Sequence, residues 1–166
     1  MRASKQLQTS NLKRLENACR ERGIPVTVQR RVIFTELLER DDHPTVDQIF
    51  DAVKKRIPGV SRTTVYRTLV TLADLGLARR TNHFEAFGRF DGNMEQHHHL
   101  VCTKCGKLTD FQASGLSIGD LPDVSRSGFA LADYSIYFEG RCSDCQRSAV
   151  PGERRKPGSV NRAKSP

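Results

Sequence analysis

Apolar positions along the first 76 residues fall three and four apart, in runs separated by turn-forming residues. Leu12 and Leu15 mark the inner side of a charged helix over Lys5 to Arg22, and Gly23 supplies its C-cap. After the Gly23-Ile24-Pro25 turn, Thr27 caps a second helix. Its Val32, Ile33, Leu37 and Leu38 recur at helical spacing as far as the breaker Asp41-Asp42-His43-Pro44. Thr45 and Gln48 match a capping box, so a third helix opens there with Ile49, Phe50 and Val53 on one side and stops at Pro58-Gly59. Ser61 caps a fourth, in which Val65, Leu69, Leu72 and Leu75 make one apolar stripe before Gly76 ends it.

The pattern then becomes strand-like over Leu77 to Asn82 and Phe84 to Phe90. Short helices followed by a hairpin describe a winged helix-turn-helix. From about Asp91, short strands alternate with turns: His99 to Val101, Leu108 to Phe111 and Ile136 to Phe138. The stretch 115–128 holds three Gly and one Pro, which allows only a short helix. From Ser148 onward Pro, Gly, Ser, Lys and Arg dominate, the composition of a disordered basic tail. The expected architecture is α+β: a winged helix-turn-helix over 1–90, a second, α/β domain over 91–147, and a tail over 148–166.

Charge sharpens this division. The formal net charge is +8, but residues 1–90 carry 17 basic and 10 acidic side chains, residues 91–146 carry 4 and 8, and residues 147–166 carry 6 and 1. A basic first half suits a nucleic-acid face, and an acidic second half suits a cation site. No apolar run reaches membrane-spanning length, and Met1 to Gln8 lacks the order of a signal peptide, so a soluble cytoplasmic protein without a membrane partner is expected. Five cysteines in a reducing compartment, four of them in two C-x-x-C pairs, point to metal rather than disulfides.

A helix that reads the major groove must bury one side and offer short hydrogen-bonding residues and Arg on the other. The fourth helix does so. With its stripe inward, Arg62, Thr63, Thr64, Arg67, Thr68 and Thr71 are expected outward and Tyr66 near the boundary. Arg67 suits a guanine edge or a phosphate, Thr63 and Thr64 suit bases, and Tyr66 a phosphate or a base face. Arg79 and Arg80 in the wing would hold the backbone. An ordinary amphipathic helix with a solvated face shows the same stripe, but the wing and the basic excess favour DNA.

Cys102-Thr-Lys-Cys105 and Cys142-Ser-Asp-Cys145 are two matched turns, each able to present two thiolates to one edge of a tetrahedral Zn²⁺. A redox C-x-x-C or paired disulfides are the competing readings. Cys19, a lone helical thiol, is assigned to packing. Just upstream stands His97-His98-His99. On a strand His97 and His99 share a face while His98 points away, and Asp110 follows on the next strand with Asp91 at the junction of the halves. Such a nitrogen and oxygen shell suits Fe²⁺, Mn²⁺ or Zn²⁺ and would exchange more readily than the thiolates. A triple His can also be a polar edge strand.

The stretches Val26-Thr-Val-Gln-Arg30, His43-Pro-Thr-Val-Asp-Gln-Ile-Phe50, Thr64-Val-Tyr-Arg-Thr-Leu69, His97 to Lys107 and Tyr137 to Cys145 together resemble the ferric uptake regulator superfamily, from about residue 12 to residue 146. The resemblance implies a homodimer, a winged helix that binds an inverted repeat in double-stranded DNA, and a C-terminal dimerisation domain with a structural zinc on the four cysteines. It also implies that His43 joins Asp91, His97, His99 and Asp110 in a regulatory site for Fe²⁺ or Mn²⁺. Asp at positions 91 and 110 resembles the peroxide-stress branch, whereas iron-sensing members usually have Glu at the latter, and Arg67 follows the wider family pattern. A further metal site of iron-sensing members would fall at Gln96, His98, Ser117 and Tyr134, and is expected to be missing. The Gly-rich 115–128 stretch fits poorly to the family's dimerisation helix.

The function expected on this basis is a metal-dependent repressor sensing peroxide, without enzymatic activity or a small-molecule substrate. Sensing of iron or zinc availability is the alternative. A metallohydrolase is the remote one, since five protein ligands would leave a substrate little room.

Overall fold

A computed structural model describes residues 5–81, 88–112, 124–130 and 134–148. Helices α1 (Lys5–Glu21), α2 (Val28–Leu38), α3 (Val46–Arg56) and α4 (Arg62–Asp74) are followed by the strands β1 (Arg79–Thr81) and β2 (Arg89–Asp91). Then come β3 (His98–Cys102), β4 (Leu108–Phe111), a 3-10 turn at Ser125–Ser127, β5 (Tyr137–Gly140) and the short helix α5 (Ser143–Arg147). No helix among the described residues is long and apolar enough to cross a membrane.

The helix ends form where the capping residues stand. Thr27 and Ser61 accept hydrogen bonds from the Arg30 and Thr64 N–H groups, and Thr45 with Gln48 makes both halves of a capping box. Each such cap stabilises its helix by about 1 kcal/mol. At the other ends Gly23 (φ +64°) and Gly76 (φ +67°) adopt the left-handed conformation that side chains resist. Ile24 N–H reaches the Cys19 carbonyl and Leu77 N–H the Leu72 carbonyl, at 2.8 and 2.9 Å, which closes two Schellman motifs. In α3, Asp47 sits in the first turn and Lys54, Lys55 and Arg56 in the last, matching the helix dipole.

Leu15, Ile33, Phe34, Leu37, Ile49, Val53, Val65, Leu69 and Leu72 form one core between the four helices. At roughly 1.5–3 kcal/mol per buried side chain, this cluster is the main force holding the helices together. Cys19 is fully buried within it, as its assignment to packing requires. Phe90 of β2 also enters this core, so that strand is anchored on the helices.

Among the described residues two sheets complete the α+β fold. β1 pairs with β2 antiparallel, Arg79 opposite Asp91 and Thr81 opposite Arg89, while residues 82–87 of the expected hairpin lie outside the described residues. The other sheet has the order β4-β3-β5, β3 antiparallel to β4 and parallel to β5. Much of the Gly-rich 115–128 stretch and almost all of the expected tail also lie outside the described residues. Helix α5 went unpredicted, since five residues are too few for a period to register.

Candidate metal centre and nucleic-acid interface

Parallel pairing of β3 with β5 brings the two cysteine turns together across a sequence gap of 37 residues. Cys102 ends β3 opposite Gly140 of β5, so both turns leave from the same end of the sheet. Gly106 (φ +69°) closes the first turn with its N–H on the Cys102 carbonyl at 2.9 Å. Cys142 stands at the N-cap of α5, and Cys145 lies within that helix. The four sulfurs lie within 4.8 Å of one another, Cys105 and Cys142 at 3.8 Å. The Cys142 N–H, 3.4 Å from the Cys102 sulfur, and that of Cys105 pull the Cys102 thiol down to about 5. Cys145 is pushed up to about 12 by the Cys105 sulfur, burial and the other two sulfurs. Four thiols this close cannot all ionise unless a cation stands between them, and the donor set and spacing fit Zn²⁺.

The second cluster draws on four elements. His99 lies on β3 directly opposite Asp110 of β4, His97 precedes that strand, Asp91 ends β2, and His43 comes from the loop between α2 and α3. His43 Nε2 lies 3.0 Å from Asp110 Oδ1 and 3.6 Å from Asp91 Oδ2. His97 Nε2 lies 3.1 Å from Asp91 Oδ2 and 3.0 Å from His99 Nε2. The four residues other than Asp110 are at most 5% exposed, and their ligand atoms share one 4.8 Å neighbourhood. All five residues expected in the regulatory site therefore meet.

Several hydrogen bonds orient this cluster. Asn93 donates its backbone N–H to Asp91 Oδ1 at 2.7 Å and its amide to Asp110 Oδ2 at 3.3 Å, which turns the other oxygen of each carboxylate towards the imidazoles. Those oxygens, with His43 Nε2, are buried and make no hydrogen bond among the described residues. Leaving buried polar atoms unsatisfied costs of the order of 1–3 kcal/mol each, which a cation at their centre would recover. The Glu95 carbonyl lies 2.8 Å from His97 Nδ1; a proton there leaves Nε2 free to bind a metal. Burial, then the His43 and His97 rings, push His99 down to about 4, so it is a neutral ligand at physiological pH. Burial pushes the Asp91 carboxyl up, but the neighbouring His43 and His97 imidazoles and the Asn93 N–H prevail and hold it below the usual range. A set of three imidazoles and two carboxylates fits Fe²⁺ or Mn²⁺.

His43 is strained. Its φ of 49° is left-handed, a conformation that costs a non-glycine residue about 1–2 kcal/mol. Sequence reasoning passed over three neighbours that support the site: Asn93, Arg89, which donates to the His43 carbonyl at 3.2 Å, and Tyr137, whose ring stacks on His99 at 4.8 Å. Only Asn93 carried a signal, the Asp91-Gly92-Asn93 turn. His98 turns the other way, towards Tyr134, 6.3 Å between ring centres, and Gln96 donates to the Tyr134 carbonyl; Ser117 lies outside the described residues.

On α4, Arg62, Thr63, Tyr66 and Arg67 are exposed and Thr64 is half-buried. Thr68 corrects the expected outward set: it is 6% exposed, because its position beside Leu69 and three residues after Val65 falls within the inward arc. Thr71 is half-buried and donates to the Arg67 carbonyl at 2.8 Å. Arg62 is paired with Asp47, Nη2 to Oδ2 at 2.7 Å. Arg80 is exposed and packs over Gly88, where a Cβ would approach its Nε to 2.8 Å. Arg79 is half-buried and donates to the Met94 carbonyl at 3.3 Å. Arg62, Thr63, Tyr66 and Arg80 border an open groove of about 350 Å³ between α4, the start of α3 and the residues beside the β1–β2 pair.

The model of the ferric uptake regulator family matches residues 21–139. The chain belongs to that family. A Peroxide-responsive repressor PerR of Staphylococcus aureus is 32% identical over 127 residues, 76% of this chain and 86% of the relative. Two solved ferric uptake regulators are similar at 25% identity. That of Pseudomonas aeruginosa, determined with manganese, has a TM-score of 0.62 over 77% of this chain and 97% of its own. That of Francisella tularensis, determined with iron, has a TM-score of 0.61 over 75% and 96%. Family members are metal-sensing transcriptional regulators and not enzymes, which removes the metallohydrolase from consideration.

Proposed function

We propose that this chain is a homodimeric, DNA-binding repressor whose switch is the cluster His43, Asp91, His97, His99 and Asp110, and whose platform is a zinc on Cys102, Cys105, Cys142 and Cys145. The observation that carries the reading is the convergence of His43, from between the first helices, on ligands from β2, β3 and β4. We read 1–90 as the DNA-binding domain, 91–147 as the dimerisation domain and 148–166 as a basic tail. The cytoplasm, which keeps the four thiols reduced, is the proposed location.

A divalent metal held by these residues would supply the positive charge that the carboxylates and imidazoles require and, as Fe²⁺, would activate peroxide. The chain's own residues do the rest. His43 and Asp91 tie the loop before α3 and the wing strand to His97, His99 and Asp110, selecting one arrangement of the two halves. In that arrangement the α4 helices of two subunits match successive major grooves of an inverted repeat. Arg67, Thr63 and Thr64 face base edges, Arg62 and Tyr66 the phosphates, and Arg80 the backbone beside the wing, with Arg79 behind it. Metal and operator raise each other's affinity, as linkage requires.

Peroxide is the proposed signal, supported by the 32% identical peroxide-responsive relative and by aspartate at position 110. His43 or His97 takes one oxygen atom from hydrogen peroxide, water leaves with the other, and the ligand set opens. Sensing of metal availability is the second reading, favoured by the 25% identical regulators determined with iron and manganese. DNA selected from a random duplex pool by the zinc-loaded protein, titrated with Fe²⁺ or Mn²⁺ before and after peroxide, separates the two. Release by peroxide with one added oxygen on His43 or His97 is expected; release by chelation alone, with both histidines intact, supports the second. Undiminished metal-dependent binding by His43→Ala would sink both.

A further inference from the structure

The His43 peptide is held in a left-handed conformation immediately before Pro44, which has no N–H with which to tie the loop to itself. Strand β2 does the tying. Thr45 bridges to Arg89, and the Phe90 N–H donates to the Pro44 carbonyl at 3.0 Å. The guanidinium of Arg89 then reaches past the loop. Nη1 donates to the His43 carbonyl at 3.2 Å, and Nη2 lies 3.5 Å from the Gly106 carbonyl. Gly106 is the residue after Cys105; its N–H donates to the Cys102 carbonyl and the next carbonyl, that of Lys107, accepts from the Cys102 N–H, so the first cysteine turn holds the Gly106 peptide on both sides.

We propose that Arg89 is a positioning residue for the metal switch: its guanidinium fastens the strained His43 peptide to the first cysteine turn and so makes the sensor's ligand geometry depend on the zinc platform. The chemistry asks for Arg. Two carbonyls in different segments need two N–H groups at fixed divergence, which a planar guanidinium offers and an ammonium does not. Asp91, two residues along the same strand, is itself in the cluster, so β2 controls one ligand through its own side chain and a second through Arg89. The connection runs from the cysteine turn through Arg89 and the His43 carbonyl to His43 Nε2, and Arg89 never touches the metal.

The proposal rests on reading the His and Asp cluster as the switch, so the test carries a control for that reading. Full-length, zinc-loaded wild type, Arg89→Lys, Arg89→Gln and His43→Ala are compared by Mn²⁺ titration, by the visible absorption of Co²⁺ in the second site, and by zinc content. Both Arg89 variants are expected to keep one zinc per chain, to bind Mn²⁺ about tenfold more weakly or worse, and to shift the Co²⁺ spectrum towards that of His43→Ala. A residue that merely stabilised the fold would lower the melting temperature and leave the spectrum of the folded protein unchanged. Mn²⁺ affinity within twofold of wild type and an unaltered Co²⁺ spectrum in both variants overturn the proposal. Equal Mn²⁺ binding by wild type and His43→Ala overturns the reading of the cluster, and the proposal with it.

Discussion

The cysteine cluster and the histidine-aspartate cluster share strand β3, which ends on Cys102 three residues after His99, roughly 10 Å along the strand. They are built in opposite ways. The cysteines come from one turn and the start of α5, each contributing a complete pair with three-residue spacing, and the register between β3 and β5 brings them together. The second cluster takes His43, Asp91, His97, His99 and Asp110 from four elements, holds one of them in a left-handed backbone, and leaves buried oxygens without hydrogen bonds. A local, soft and saturated donor set suits an ion that stays. A dispersed, harder and strained one suits an ion that comes and goes, because every ligand it gathers is a segment that can move when the ion leaves.

The largest effect that would break this comparison concerns the cysteines. Cys142→Ser should lose the zinc and the ordered second half with it, since binding of a structural zinc contributes folding free energy of about 10 kcal/mol or more. Zinc stoichiometry and hydrogen exchange across β3 to β5 check this; a protected sheet without zinc would show that the platform does not need its ion. Next in size is Asp91→Asn, which keeps the acceptor for the Asn93 N–H but removes the charge. Mn²⁺ affinity should fall by about a hundredfold or more while zinc content and the metal-free circular dichroism stay unchanged. Loss of zinc in that variant would mean the two clusters are one cooperative site.

The two clusters were also unequally legible in the sequence. The cysteine pairs could be read from spacing, because a C-x-x-C turn is complete within four residues. His97, His99 and Asp110 could be proposed from strand alternation; the register sets His99 opposite Asp110, and His97 stands just before the strand. His43 could not: its partners lie on distant elements, and only the family resemblance connected it to them. The caps at Thr27, Thr45 and Ser61 and the glycines at 23 and 76 were legible because each acts within a few residues. Thr68 failed because residue type was allowed to outweigh its place on the helix. Arg89 and Tyr137 left no trace, since a carbonyl contact and a ring stack are made by the fold and have no period.

A smaller effect sharpens the contrast between ligands and their supports. Asn93→Ala removes the amide that fixes the second oxygen of Asp110 but leaves the backbone N–H on Asp91. Mn²⁺ binding should weaken about tenfold, the lower end of what loss of an orienting contact costs at a metal site. Calorimetric titration of the zinc-loaded protein measures it, and a loss as large as that of Asp91→Asn would make Asn93 a ligand in its own right.

The smallest effect tests whether being a cysteine is enough. Cys19 is fully buried among the helices, packed in the core with Leu15, far along the chain from either pair, and its carbonyl rather than its sulfur is used by the Ile24 N–H. Cys19→Ala removes one sulfur from a packed core, a change that costs about 1–2 kcal/mol in lost contacts and residual cavity. Urea unfolding of the zinc-loaded variant should show that modest loss while zinc remains at one per chain and Mn²⁺ affinity at the wild-type value. A drop in either metal would mean that the packing of α1 reaches the sheet. The helical core would then belong to the metal platform, and the contrast between a fixed centre and a movable one would have to be drawn elsewhere in the molecule.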